Sequence, residues 1–153
     1  MVRVIVVYDT KYGNTKLVAE KIKEGIDETE GIETTISDVA ETDPKRATDY
    51  DAILIGSPNH FGGPVRGIKK FIDKLGKLDL KAKWAAVFDT YIEKDFEMAT
   101  KKMEKRISEK VPSLKLVTSG LSVKVEGMKG PIVDGELPKC KDFGKKIATQ
   151  LKT

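Results

Sequence analysis

The feature that most constrains this chain is a repeated alternation between short apolar runs and amphipathic stretches. Three runs are almost wholly apolar and have the length of strands: Val2–Tyr8, Ala52–Gly56 and Trp84–Phe88. In the intervening stretches, apolar residues recur every three or four positions, which predicts helices. Strands this apolar are usually covered on both faces, as in parallel sheets. The alternation therefore predicts a three-layer, doubly wound α/β domain.

The weaker patterns complete a five-stranded parallel sheet with about five helices in one domain, residues 1–153. Two further strands are predicted, the second broken or bent at Ser119-Gly120: Glu33–Val39 and Leu114–Val125. Asp43 and Pro44 predict the start of a short helix or turn that ends near Asp49. The longer helices are expected at Thr15–Ile26, Pro64–Leu75, Lys94–Lys110 and Leu137–Leu151, with Phe96 among the inward-facing residues of the third.

Composition narrows the setting in which such a domain would work. No apolar run approaches the ~18 residues of a membrane span. The single cysteine, Cys140, cannot form an intramolecular disulfide, and Met1-Val2-Arg3 leads directly into a strand-like run without a signal-peptide layout. We therefore expect a cytoplasmic protein. His60 is the only histidine, so no multi-histidine metal site is predicted.

The positive charge is concentrated towards the C-terminus. The net charge is +4, and residues 101–153 hold 13 Lys and Arg against 6 Asp and Glu. These lysines alternate with apolar residues at helical spacing, which favours solvated helix faces over a nucleic-acid surface. An acidic protein partner is the other interpretation of this basic region.

Three loops follow the apolar strands of the predicted sheet: Asp9–Thr15, Ser57–Gly63 and Asp89–Lys94. In doubly wound sheets, ligands bind outside the carboxyl ends of the strands. The carboxyl ends of parallel strands lie at the same edge, so we expect the three loops to meet there and to form the functional site.

The first of these loops has the composition of a phosphate site. A helix N-terminus offers unpaired N–H groups and a partial positive charge. Thr10 and Thr15 supply hydroxyl groups, Gly13 permits close approach of the backbone, and Asn14 and Lys11 add polar contacts. The alternative is an ordinary helix start in which Thr and Asn serve as caps.

Several other phosphate-binding classes are excluded by single residues. A Walker A loop ends in Gly-Lys-Ser/Thr, whereas Gly13 is followed by Asn14-Thr15. A dinucleotide loop needs three glycines, and only Gly13 is present. A receiver-type domain needs an aspartate at the end of its third strand, which here ends Gly56-Ser57. A cysteine phosphatase needs a loop cysteine, and Cys140 lies in the last predicted helix.

Two segments resemble those of a known family. Tyr8–Thr15 (YDTKYGNT) resembles the FMN-phosphate loop of flavodoxins. Gly56–Pro64 (GSPNHFGGP), followed by Phe71-Ile72-Asp73, is similar to the second flavin loop of flavodoxin-like proteins, especially the flavodoxin domains of A-type flavoproteins and some NAD(P)H:quinone reductases. The segment Cys140–Lys145 is also similar to that group. The resemblance implies a flavodoxin-like fold with strand order 2-1-3-4-5 and FMN as the cofactor.

The resemblance also implies which residues bind the flavin. His60 and Phe61 lie where a side chain that flanks the flavin is expected, and Tyr91 is expected to cover one face of the ring. Ser57 and Asn59 are expected to make polar contacts in the second loop, which touches the ribityl chain and the isoalloxazine ring. The third loop lacks glycine, unlike its counterpart in flavodoxins. The full set of expected cofactor-binding residues is Thr10, Lys11, Tyr12, Gly13, Asn14, Thr15, Ser57, Pro58, Asn59, His60, Phe61, Gly62, Asp89, Thr90 and Tyr91.

By resemblance, the expected function is that of an electron carrier. FMN would perform the chemistry, no side chain would be catalytic, and the partners would be ferredoxin-type proteins or flavoenzymes. We expect a monomer or weak dimer. Two alternatives remain open: an NAD(P)H-dependent quinone or flavin reductase, and a non-redox binding module that kept the fold.

Overall fold

The computed structural model describes residues 1–153. Its strands are β1 (Val2–Tyr8), β2 (Ile32–Asp38), β3 (Ala52–Pro58), β4 (Trp84–Tyr91), β5 (Lys115–Leu116) and β6 (Leu121–Lys124). Its α-helices are α1 (Asn14–Asp27), α2 (Pro44–Ala47), α3 (Arg66–Leu75), α4 (Met98–Lys110) and α5 (Glu136–Lys152), and a 3₁₀ turn covers Val39–Glu41. None of these helices has the length and apolar character needed to cross a membrane.

The strands form one parallel sheet in the order β2-β1-β3-β4-β5, and β6 also pairs with β4. The predicted fold and order 2-1-3-4-5 are thus confirmed. The fifth strand is in two pieces, as the predicted break at Ser119-Gly120 requires. β5 pairs with the start of β4 at Trp84, and β6 pairs with its end from Phe88 to Tyr91.

Each face of the sheet carries its own hydrophobic core. On β1, Val4 and Val6 face a cluster with α1 and α5, whereas Ile5 and Val7 face a cluster with α2, α3 and α4. All four side chains are fully buried. This alternation explains why β1 reads as a continuous apolar run. It also fixes the positions of the helices that flank the loops at the carboxyl edge.

On one face, two glycines allow α1 and α5 to approach closely. A Cβ at Gly25 would lie 2.0 Å from the carbonyl oxygen of Lys141, and a Cβ at Gly144 would lie 2.1 Å from that of Ile22. Both positions therefore require glycine. Cys140 is buried in the same region, where burial raises the pKa of its thiol to about 12. It packs there as a small apolar side chain.

Several element boundaries at the carboxyl edge differ from the prediction. β3 continues through Ser57 and Pro58, which were expected to belong to a loop, and α3 begins at Arg66 instead of Pro64. β4 continues through Asp89, Thr90 and Tyr91, which were expected to belong to a loop. α4 begins at Met98 instead of Lys94, so Phe96 precedes the helix and is exposed rather than inward-facing.

Two polar side chains, one buried and one half-buried, explain where α4 begins. The side chain of Asn59 accepts a hydrogen bond from the backbone N–H of Ala99, and the Asp89 carboxylate accepts one from that of Thr100. These acceptors satisfy N–H groups in the first turn, which have no partner within the helix. The start of the helix is thus fixed from neighbouring strands, which a periodicity within 94–110 does not reveal.

Candidate functional site: a cavity at the carboxyl edge of the sheet

A cavity of about 540 Å³ lies at the carboxyl edge of the sheet, where the three predicted loops meet. This volume is within the range of small-molecule sites, ~300–1,000 Å³. The lining residues come from four separate segments of the chain: Asp9, Thr10, Lys11, Tyr12, Asn14, Thr15, Pro58, Asn59, His60, Val65, Arg66, Thr90, Tyr91, Ile92, Val125 and Met128.

One end of the cavity is the start of α1. Gly13 is the N-cap residue with φ at 92°, and no side chain caps the helix. Thr10 Oγ1 accepts a hydrogen bond of 2.9 Å from the backbone N–H of Gly13, which closes the loop into a tight turn. The remaining N–H groups of the first helical turn therefore face the cavity end without an intrahelical acceptor. This arrangement suits an anion.

A hydroxyl pair extends the polar end towards β4. Thr15 Oγ1 and Thr90 Oγ1 are 3.0 Å apart and hydrogen-bonded, and both side chains are buried against the cavity. Each hydroxyl keeps a further capacity to donate or accept. A buried pair of this kind can orient a polar ligand group between α1 and β4.

The second loop turns sharply at the mouth of the cavity. His60 and Gly63 exchange backbone hydrogen bonds of 2.8 and 3.2 Å, and both residues between them have positive φ, 51° at Phe61 and 69° at Gly62. Phenylalanine is uncommon in this conformation. The turn leaves Phe61 95% exposed, with its ring edge-to-face against His60 at 4.5 Å.

Five predicted binding residues do not line the cavity: Gly13, Ser57, Phe61, Gly62 and Asp89. The side chain of Ser57 is buried, and its Oγ accepts from the backbone N–H of Val65, ahead of α3. The other ten predicted residues all line the cavity. Their contacts with a ligand stay predictions.

Asp89 points away from the cavity into the interior. Its carboxylate accepts hydrogen bonds from Ser122 Oγ and from the backbone N–H of Thr100. Burial raises the pKa of Asp89 to about 6, against these hydrogen bonds, which lower it. Asp89 therefore joins β4, β6 and α4 and is buried, contrary to its expected place in a cavity loop.

Asn59 lines the cavity, yet its side chain is already engaged. It donates to the carbonyl oxygen of Thr90 and accepts from the backbone N–H of Ala99, both at 3.0 Å. The amide thus fixes the second loop to β4 and α4. Its role in this geometry is to position the loop.

A fourth loop, which the sequence reasoning missed, closes another side of the cavity. The segment Glu126–Pro131 follows β6 and turns back on itself, with Val125 bridged to Ile132. Met128 lies within 3.8 Å of the Tyr12 hydroxyl. A Cβ at Gly130 would come within 2.7 Å of Asn14, so the turn packs directly against the first loop. The sequence signal that could have predicted this loop is the turn Gly127–Pro131 after a strand, because ligands bind beyond the carboxyl ends of strands in such sheets.

The sequence reasoning also missed other lining residues. Val65, Ile92 and Val125 supply apolar surface, and Arg66 lies at the start of α3. The pKa of Asp9 is raised by burial and by the charge of Asp38. The loop Asp9–Thr15 was predicted to form the site, but Asp9 itself was not chosen as a binding residue.

The family-model comparison identifies the chain by residues 5–122, which match the model of the flavodoxin domain. The chain belongs to the flavodoxin family. Among solved structures, the fold is similar to that of a flavodoxin from the domain Archaea, with 24% sequence identity and a TM-score of 0.84. The match covers 99% of this chain and 100% of that chain. It is also similar to that of oxidised Flavodoxin 2 from Bacillus cereus, with 26% sequence identity and a TM-score of 0.82. This match covers 97% of this chain and 99% of that chain.

The fold is also similar to one part of a longer protein. The flavodiiron core from Synechocystis sp. PCC6803 matches at 20% identity and a TM-score of 0.80, over 99% of this chain and 36% of that one. The predicted resemblance to flavodoxins is therefore confirmed at the level of family and fold.

The cavity of this flavodoxin-family chain fits a flavin phosphate in both size and polarity. It combines an anion-compatible start of α1, with Thr10 and Asn14 beside it, with apolar and aromatic lining such as Tyr91 and Ile92. Tyr91 is half-buried, with its ring edge-to-face against Phe96 at 5.4 Å. A phosphate joined to a flat apolar ring requires both kinds of surface.

Proposed function

We propose that this protein binds FMN in the cavity and carries single electrons between redox proteins in the cytoplasm. The observation that carries the proposal is the uncapped start of α1, with Thr10 and Thr15 beside it, in a cavity that also has apolar and aromatic lining. Family membership supports a flavin, and the cavity end suits its phosphate. We further propose that the protein works as a monomer or weak dimer.

The residues of the chain bind, orient and shield the cofactor, which supplies the redox chemistry when bound. The first-turn N–H groups of α1, with Thr10, Lys11, Asn14 and Thr15, are proposed to hold the phosphate. Tyr91 is proposed to cover one face of the ring.

The second loop and β4 are proposed to complete the site. Pro58, Asn59 and His60 line the cavity together with Thr90 and Tyr12, and this set is proposed to contact the ring and its ribityl chain. Gly62 shapes the turn through its positive φ, and Ser57 and Asp89 act through the loops and helices that they fix.

The reductase alternative has one observation in its favour. A basic cleft of about 420 Å³, lined by Arg66, Lys69 and Lys102, adjoins the cavity at His60. Such a cleft could hold the phosphates of a nicotinamide nucleotide.

Anaerobic mixing distinguishes the two functions. We expect that neither NADPH nor NADH changes the flavin absorbance of the FMN-loaded protein over minutes, whether or not a quinone is present. Protein reduced chemically with dithionite should pass its electrons rapidly to an oxidised one-electron redox protein. Rapid bleaching of the flavin by a nicotinamide nucleotide would contradict the carrier proposal and establish the reductase.

A further inference from the structure

The surface beside the cavity mouth combines exposed apolar side chains with uncompensated positive charge. Five large exposed hydrophobic side chains lie around this mouth: Tyr12, Phe61, Phe96, Met98 and Met128. The other three, Met1, Trp84 and Leu116, lie at the opposite, amino edge of the sheet. Exposed apolar groups gathered on one side of a protein mark an interaction surface.

The positive charge belongs to α3 and α4, which flank the turn at Phe61. The cleft there is lined by Arg66, Lys69, Lys102 and Arg106. Arg106 is neutralised by a bidentate pair with Asp73, at 2.8 and 2.7 Å. Arg66, Lys69 and Lys102 form no ion pair with any residue of the chain. Three cations therefore remain available to a partner.

Phe61 is presented to solvent by strained backbone. Its φ of 51° lies in the left-handed region, which is costly for a bulky side chain. The nearby Met98 supports this region, since a Cβ at Gly62 would lie 3.1 Å from its terminal methyl group. Strain that exposes an aromatic ring calls for a function, and exposed aromatic and arginine side chains are the anchors that protein interfaces favour.

We infer that Phe61 and Met98, together with Arg66, Lys69 and Lys102, form a docking face for an acidic redox protein. The inference rests on the proposed carrier function, because it names the charge of the partner and the surface that it contacts. A small anion would use the cations alone, whereas the exposed Phe61 ring and the adjoining cavity mouth require a partner with a surface of its own.

The charge pattern also orients the partner. Phe96 lies between Asp95 and Glu97 in the chain, so acidic residues border the basic cleft of α3 and α4 on the side of Phe96. The partner's carboxylates are therefore expected opposite Lys69 and Lys102. Its redox centre would lie towards Phe61 and the cavity mouth. Complementary charge of this kind mainly accelerates association and fixes orientation.

Charge reversal on FMN-loaded protein tests the inference. The acidic probe is a plant-type [2Fe–2S] ferredoxin, and the basic probe is cytochrome c. We expect the Lys69→Glu/Lys102→Glu variant to bind ferredoxin about 10-fold more weakly than the parent at low ionic strength, with the difference shrinking as salt is added. Affinity is measured by calorimetric titration and association by stopped-flow absorbance.

The matched control is Lys83→Glu/Lys115→Glu. These two exposed lysines adjoin each other at the amino edge of the sheet, through the 2.9 Å bond from the backbone N–H of Lys115 to the carbonyl oxygen of Lys83. The control changes net charge equally, so it should alter ferredoxin affinity by less than about twofold, as expected of charges far from an interface. FMN content and dithionite reduction should match the parent in both variants.

Three results would overturn the inference. Equal affinities of the two variants for ferredoxin would show that Lys69 and Lys102 do not belong to a docking face. Tighter binding of the parent protein to cytochrome c than to ferredoxin would show that the partner is basic and not acidic. NADPH binding that is lost only in the Lys69→Glu/Lys102→Glu variant would assign the cleft to a nucleotide. Loss of FMN from the parent itself would instead be a failure of the proposed function.

Discussion

A Gly13→Asp variant is expected to bind FMN about 100-fold more weakly than Gly13→Asn, a difference of about 2.7 kcal/mol. Gly13 is the N-cap residue of α1, and a Cβ added there meets no atom within 4 Å, so both side chains have room. Its φ of 92° strains both variants to a similar extent. The two variants differ only in the negative charge that aspartate adds.

Either side chain can accept hydrogen bonds from the first N–H groups of the helix, so competition for the donors that the phosphate needs is common to both variants. Only the aspartate carboxylate also repels a phosphate placed a few ångströms away, at a cost of several kcal/mol where the effective dielectric constant is about 20. Aspartate should still stabilise α1 as a cap, so lost affinity and lost folding would not coincide.

Fluorescence quenching of FMN during titration with apoprotein measures the effect. Riboflavin, which lacks the phosphate, should bind the two variants equally. If Asp and Asn at position 13 gave the same FMN affinity, the phosphate would not lie at the start of α1.

The second large effect is expected at Asp89. Its pKa is about 6 in the folded protein, against 3.8 for an ordinary aspartate, so the folded state binds the proton more tightly. The stability that protonation provides is fully present below pH 3.8 and is lost as the pH rises through 6. A shift of about two pKa units corresponds to roughly 3 kcal/mol between those limits.

The Asp89→Asn variant removes this dependence while keeping the shape of the side chain. An amide can still accept from the backbone N–H of Thr100 and contact Ser122. Relative to the parent, the free energy of unfolding of the variant should therefore rise by roughly 2.5 kcal/mol between pH 4 and 7. Urea unfolding at several pH values measures it. The exposed Asp142→Asn variant is the control, and a difference at Asp89 that did not change with pH would show that Asp89 is not a buried carboxyl.

The parts of this molecule that could be predicted from sequence are those in which one segment contains its own signal. β1 and its loop are such a case, because the apolar run ends at Tyr8 and the polar Thr10–Thr15 segment precedes an amphipathic stretch. Strand order followed from the family resemblance. The residues that line the cavity beside the start of α1 were therefore predictable one by one, apart from Asp9.

Elements fixed by distant partners were not predictable in this way. Nothing in the sequence of residues 94–110 indicates that α4 begins only at Met98, where Asn59 and Asp89 supply acceptors for its first N–H groups. Likewise, the apolar run that includes β4 ends at Phe88, although backbone pairing with β6 continues the strand to Tyr91. Polar residues in that extension looked like a loop, because their burial depends on Ser122 and α4.

The Glu126–Pro131 turn shows a different limit. Its residues are typical of any surface turn, and only its packing against Asn14 makes it part of the cavity. Phe61 shows the converse. The resemblance places it beside the flavin, whereas the positive φ of the turn directs it to solvent outside the cavity lining.

The most direct test of the central claim is a comparison of FMN and riboflavin binding to the parent apoprotein. A site that holds a phosphate at the start of α1 should bind FMN with one-to-one stoichiometry and at least 100-fold more tightly than riboflavin, since several charge-assisted hydrogen bonds at ~1.5–3 kcal/mol each are lost with the phosphate. Titration by flavin fluorescence at fixed ionic strength gives both constants. Equal affinities, or no binding of either flavin, would contradict the account.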